Sequence, residues 1–258
     1  EMFTAMRMRD RLPQREVAVG ESVTAFVLRN LEPVPEEDAA RLRAFAERHG
    51  IQWWLEPKGP ATAHPFHPPE APGLVYRLPE FGLSLAFGPT EFTQVNTGMN
   101  RVLVRRPVAM LDPRPGERVG DLFCGLGNFS LPLASRGAEV VGMEGAASLV
   151  ARAGENARRN GLASLARFVA YDLYADAPGA LARVGPVDKL LIDPPRDGAL
   201  EICKALPEAG GPHRICYVSC SPATLARDAG VLVHLKGYRL SAAGVVNMFP
   251  HTGHVESI

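Results

Sequence analysis

The sequence predicts an α/β protein built on a doubly wound, mostly parallel sheet, with a smaller α+β region before it. Three observations carry this. From about residue 91 onward, short apolar runs alternate with amphipathic stretches and turn residues, as repeated β-α units require. Residues 119–133, VGDLFCGLGNFSLPL, join an apolar run to a Gly-rich turn and the start of a helix. Acids follow successive apolar runs at Glu144, Asp172 and Asp193. In a doubly wound sheet those positions share the C-terminal edge, where ligands bind.

The 258 residues suffice for one large or two modest domains. Hydrophobic residues make up 46% and charged residues 22%, with 28 Lys and Arg against 28 Asp and Glu. That balance gives no bulk charge argument for nucleic acid or an anionic membrane. No apolar run approaches the roughly 20 residues of a membrane span, so no membrane partner is expected. The start, EMFTAMRMRDR, has no apolar signal region and no Met at position 1. It reads as an internal boundary of a longer chain. Cys124, Cys203, Cys216 and Cys220 form no C-x-x-C pair and no zinc-like ligand set. No metal is expected, and free thiols suit a reducing, cytoplasmic setting.

Residues 1–90 are expected to form part of an α+β domain. Residues 17–27 read as one or two strands. Pro35, Glu36, Glu37 and Asp38 open a helix that Gly50 closes, with Ala39, Leu42, Phe45 and Ala46 as its apolar stripe. Residues 51–55 form a strand holding both tryptophans. Residues 57–73, rich in Pro, His and Gly, read as an irregular loop; His64 and His67 lack a third ligand nearby. Residues 75–78 and 83–87 form a hairpin.

Residues 91–258 carry the second organisation. Asn96 is a candidate N-cap for a helix over 97–111. Strands are expected at 119–123, 138–143, 165–170, 188–192 and 214–219, with helices from 129, over 147–160 with Gly161 after it, over 198–206 and over 222–235. Residues 238–246 and 253–258 read as two closing strands.

In Cys124-Gly125-Leu126-Gly127-Asn128, two glycines let the backbone pass close to a ligand at a helix N-terminus. Glu144, 17 residues beyond Gly127, has the spacing of an acid that meets ribose hydroxyls. Asp172 falls where it can meet an adenine edge. NAD and S-adenosylmethionine both satisfy these features. Asp193-Pro194-Pro195-Arg196 favours the second, since such a turn resembles the one by which many methyltransferases hold a planar group beside the methyl donor. Arg196 in place of an aromatic residue disfavours N-methylation. Cys220 follows a strand directly, with Ser221 placed to N-cap and Pro222 at the first position of the next helix. A thiol beside a helix N-terminus is expected to favour its thiolate, as a nucleophile needs.

Five ordered strings, FTQVN, DLFCGLGNFSLPLA, LIDPPRDGA, YVSCSPATLARD and MFPHTGHVES, together resemble the RNA uracil-C5 methyltransferases, most closely the subgroup acting on 23S ribosomal RNA. The resemblance covers the second half strongly and the first ninety residues weakly. It implies a Rossmann-like methyltransferase sheet in which Gln94, Phe123, Gly125, Asn128, Glu144, Asp172 and Asp193 contact S-adenosylmethionine. It implies Cys220 as nucleophile and Glu256 as base, with Asp193 and Arg196 toward the uridine. Ser221 stands where the family more often has Asn. The family's N-terminal RNA-binding barrel and its four-cysteine iron–sulfur motif are not found in this stretch, so the chain is expected to be a fragment without that cluster. Its partner is then RNA, and it is expected to be monomeric. The competing readings are the same chemistry on a tRNA or another rRNA uridine, a non-catalytic nucleotide-binding module, and an NAD-dependent oxidoreductase. The second leaves the Cys-Ser-Pro turn unexplained, and the third lacks a full G-x-G-x-x-G.

Overall fold

Residues 2–258 are described by a computed structural model. They divide into two compact units: the chain up to Arg77 with Ala86–Thr93, and Leu78–Leu85 with Gln94–Ile258.

In the first unit, β1 (Gln14–Val19) pairs antiparallel with β2 (Thr24–Arg29). Helix α1 (Glu36–His49) then returns the chain so that β3 (Ile51–Glu56) runs parallel to β2. Three acids lie in the first turn of α1, and Gly50 at its C-terminus takes a left-handed φ of 63°. Asp38 of that first turn is fully buried and accepts from the backbone N–H groups of Arg7 and Met8. The core of this unit gathers Met6, Met8, Leu28, Leu42 and Leu55 around Trp53. The stretch expected to be an irregular loop instead holds β4 (His64–His67), which pairs antiparallel with β3. An edge strand tolerates Pro65 because one side of its backbone needs no partner. Strands β5 (Leu74–Leu78) and β6 (Leu83–Phe87) make a separate two-stranded sheet.

The second unit opens with α2 (Thr97–Leu111), N-capped by Asn96, whose Oδ1 accepts from Met99 N at 3.1 Å. Then come β7 (Arg118–Leu122), α3 (Ser130–Ala134), β8 (Glu139–Glu144), α4 (Ala147–Arg159), β9 (Ala166–Ala170), α5 (Ala177–Val184), β10 (Lys189–Ile192), α6 (Leu200–Ala205), β11 (Arg214–Tyr217) and α7 (Pro222–His234). The five strands are all parallel in the order β11-β10-β7-β8-β9. Every residue of β10 is buried, as expected for a strand covered on both faces. Strand order reverses between β7 and β10, so the crevice beyond their C-terminal ends is where a ligand fits.

Two further expectations fail. Helix α5 was not read from the sequence, although Asp176 accepts from Gly179 N and Pro178 occupies its first turn. The closing strands shrink to β12 (Val245–Val246) and β13 (Glu256–Ser257). Leu240 and Val245 are exposed, so alternation there did not report burial against a neighbour.

Candidate active site

Strand β7 ends at Leu122, and the turn after it is sharply bent. Phe123 has φ 65°, Gly125 53° and Gly127 96°. The left-handed Phe123 carries strain of about 1 kcal/mol. Its ring lies 5.4 Å from that of Tyr174. Glu144, at the end of β8, braces the turn: its Oε2 accepts from Gly125 N at 3.2 Å and its Oε1 from Ala146 N at 3.0 Å. Asn128 and Asn100 exchange two amide hydrogen bonds of 3.0 and 3.1 Å, tying the turn to α2. Asp172 is exposed, and its Oδ1 accepts from Tyr174 N and Ala175 N.

Asp121, one residue before the end of β7, was not singled out in the sequence. It is fully buried, accepts from Ser130 Oγ at 2.5 Å, and leaves Oδ1 without a partner. Burial, with the charge of Glu144 added, outweighs the Ser130 bonds and raises its carboxyl to about 7. The signal was an acid inside an otherwise apolar run.

Beyond β10, Asp193 is half-buried and Arg196 exposed. Burial, then Asp121 and Glu256, push the Asp193 carboxyl well above the usual range. The rest of this loop is held by α7. Buried Asp228 accepts from Ala199 N at 2.7 Å, Tyr217 Oη at 2.6 Å and Arg227 Nε at 2.8 Å, and Arg227 Nη2 donates to Asp197 O. Gly198, at φ 77°, passes so close that an added Cβ would lie 2.6 Å from Asp228 Oδ2.

Cys220 lies three residues past β11 and directly before Ser221, the N-cap of α7. Ser221 makes no side-chain cap bond. Instead its N–H donates to Ser219 Oγ at 3.0 Å. The decisive long-range contact is an antiparallel bridge between Ser219 and Ser257, with N–H to O distances of 2.9 and 2.8 Å. The antiparallel sense sets residues 220 and 256 across from one another. Glu256 is buried, and its Oε1 lies 2.9 Å from His254 Nε2. Asn96, besides capping α2, donates from Nδ2 to Met248 O at 3.0 Å, which draws the Gln94 segment toward the strand bearing Glu256.

The electrostatics differ from expectation. Burial, then Glu256 and Asp193, raise the Cys220 thiol above its ordinary value, against the lowering effects of Arg196 and of a backbone hydrogen bond. The arrangement joins a thiol, a buried acid, one arginine and a cluster of carboxyls. Among the described residues no group of three or more His, Cys, Asp or Glu could hold a metal, and all four cysteines are free.

A family model described as tRNA (Uracil-5-)-methyltransferase matches residues 83–258. The chain belongs to that family. It is 62% identical, over its whole length and 60% of the relative's, to the 23S rRNA (uracil(1939)-C(5))-methyltransferase RlmD of Thiobacillus denitrificans. It is 58% identical to the RlmD of Aromatoleum aromaticum, again over 60% of that protein. The chain thus spans about three-fifths of the length of these curated relatives. Among solved structures, the Pyrococcus abyssi tRNA (uracil-54, C5)-methyltransferase in complex with S-adenosyl-L-homocysteine superposes with a TM-score of 0.71 at 25% identity. That match covers 93% of this chain and 57% of the other. The Pyrococcus horikoshii TYW2 matches at 18% identity with a TM-score of 0.57, covering 97% of this chain and 90% of the other, a likeness of fold alone.

Proposed function

We propose that residues 91–258 form the catalytic domain of an S-adenosylmethionine-dependent RNA uracil-C5 methyltransferase acting on 23S rRNA, preceded at 1–90 by part of a central α+β domain. The observation that carries this is the Ser219–Ser257 bridge, which sets Cys220 and Glu256 opposite one another beside Asp193 and Arg196. The names of the full-length relatives support the ribosomal substrate. The reading carries a cytoplasmic, monomeric enzyme whose partner is RNA.

The residues present fit the cofactor. A buried oxygen of Asp121 without a partner among the described residues, and the raised carboxyls of Asp121 and Asp193, suit a ligand bearing ammonium and sulfonium charges. Gln94, Phe123, Gly125, Asn128, Glu144 and Asp172 line the remainder of that site in this reading. Bound S-adenosylmethionine supplies an electrophilic methyl group.

Uracil C5 is too weak a nucleophile to accept a methyl unaided. Cys220, deprotonated, adds through sulfur to C6, and the displaced pair makes C5 nucleophilic. Arg196 is the charge that favours the thiolate. Asp193 is placed to hydrogen-bond the ring. With the methyl on C5, Glu256 removes the C5 proton, the C5–C6 double bond re-forms, and the C6–S pair returns to Cys220. A paired uridine does not present C6, so the target is single-stranded or flipped out.

A denaturing gel with methyl-labelled cofactor tests this. Cys220→Ala should give no covalent protein–RNA band, and Glu256→Gln should accumulate a methylated one. A band surviving Cys220→Ala would remove it as nucleophile. Running 23S rRNA and tRNA side by side decides between substrates: methylation of tRNA alone would overturn the ribosomal assignment.

A further inference from the structure

Among the described residues, the Glu256 carboxylate has one hydrogen-bond partner, His254. The Nε2–Oε1 distance is 2.9 Å, and Oε2 has no partner among those residues. The imidazole is itself held. Its ring meets Phe249 edge-on, with centroids 4.7 Å apart and planes at 85°. Its backbone N–H donates to Thr252 Oγ1 at 3.2 Å, and that hydroxyl donates to Phe249 O at 2.8 Å. The turn from 249 to 254, with His251 at a left-handed φ of 67°, thus closes on itself and delivers one ring to one carboxylate. In an extended segment residues two apart face the same side, which is why His254 reaches Glu256 without bending the chain. Asp193 and the Cys220 sulfur both repel it when charged.

Resting on the reading of Glu256 as base, we propose that His254 is its positioning residue. An imidazole with a proton on Nε2 donates to Oε1, fixes the plane of the carboxylate and commits Oε2 to the C5 proton. When that proton moves to Oε2, the C5–H pair forms the C5–C6 bond and the C6–S pair returns to sulfur. His254 transfers nothing; it decides which oxygen acts and where that oxygen stands.

The test separates adduct formation from adduct resolution, using in-vitro transcribed 23S rRNA and methyl-labelled cofactor. Trapping by 5-fluorouridine RNA reports attack by Cys220. Decay of the labelled adduct on ordinary RNA reports the base. His254→Phe keeps the ring and removes the donor; His254→Gln restores a donor. In His254→Phe, trapping should proceed at the unmodified rate while resolution slows about 10- to 100-fold, the loss expected when a reacting group is displaced by about 1 Å. KM for RNA should hold while kcat falls. His254→Gln should recover most of the resolution rate. S-adenosylhomocysteine affinity should be unchanged in both, which checks folding. Unslowed resolution in His254→Phe overturns the proposal, as does a parallel fall of trapping and resolution, or the absence of rescue by Gln. Unslowed resolution in Glu256→Gln would instead overturn the base itself.

Discussion

Replacing Asp121 by Asn should make the protein more stable above neutral pH and a poorer binder of its cofactor. The side chain is fully buried with an orphaned oxygen, and burial raises its carboxyl from 3.8 to about 7. The folded protein therefore keeps this proton to higher pH than the unfolded chain does. Between about pH 4 and 7 the folded state binds more protons, so the contribution is full below 4 and is lost as pH rises toward 7. At about 1.36 kcal/mol per decade, the loss is about 4 kcal/mol. Asparagine escapes that loss but places a buried amide donor where an acceptor stood, which costs about 1–3 kcal/mol. The variant should thus unfold more easily than the parent near pH 4 and less easily, by about 1–3 kcal/mol, at pH 8. Urea melts across that range read the crossing, and groups common to both proteins cancel in the difference. A titration with S-adenosylhomocysteine at pH 8 should show weakened binding, since a carboxyl that the proposed function sets near the cofactor's positive charge is gone. Parallel stability curves for the two proteins would refute the buried-charge reasoning.

Three other outcomes follow from the same geometry. The pH at which 5-fluorouridine RNA traps Cys220 should move down in Glu256→Gln and up in Arg196→Gln, because Glu256 raises the thiol and Arg196 lowers it; shifts in one common direction would show that neither charge acts on the sulfur. Gly198→Ala should cost stability and slow trapping by at least several-fold, since its φ of 77° and a 2.6 Å approach to Asp228 Oδ2 leave a methyl no room; a urea melt and the gel assay read both, and a variant normal in each would mean the loop yields freely. Glu144→Ala should weaken S-adenosylhomocysteine binding at least several-fold in calorimetry, through loss of a charged acceptor and of the Gly125 brace; unchanged affinity would remove Glu144 from the site.

The parts of this fold readable in advance are those fixed by neighbours in sequence. The turn at 123–128 needs glycine at two left-handed positions, and its strand and helix flank it directly. Asn96 caps α2 through a residue three positions on. The unread parts depend on partners far along the chain. His64-Pro65-Phe66-His67 has loop composition, and only pairing with Trp53 and its neighbours makes it a strand. Asp121 differs from an ordinary strand acid only in being sealed from water, which an apolar run hints at but does not fix. Glu256 has no local mark at all, and its opposition to Cys220 arises from a bridge spanning nearly forty residues. Burial and two facing carboxyls raise the Cys220 thiol, and neither is visible in the sequence as a helix terminus is.

That bridge has a dynamic consequence. Cys220 is tethered to the five-stranded sheet through Val218, whose N–H donates to Ile192 O inside the parallel ladder. Glu256 rides on a strand of two residues, paired to Val246 on one side and reaching the sheet through Ser257 alone. Cys220 and Glu256 thus belong to elements of unequal persistence, and local opening can part them while the large sheet stays closed. Amide exchange should proceed faster at Ser257 than at Val218. If so, Glu256 withdraws and returns many times for each global unfolding, which under the proposed function leaves a passage for a bulky flipped nucleotide without a separate lid.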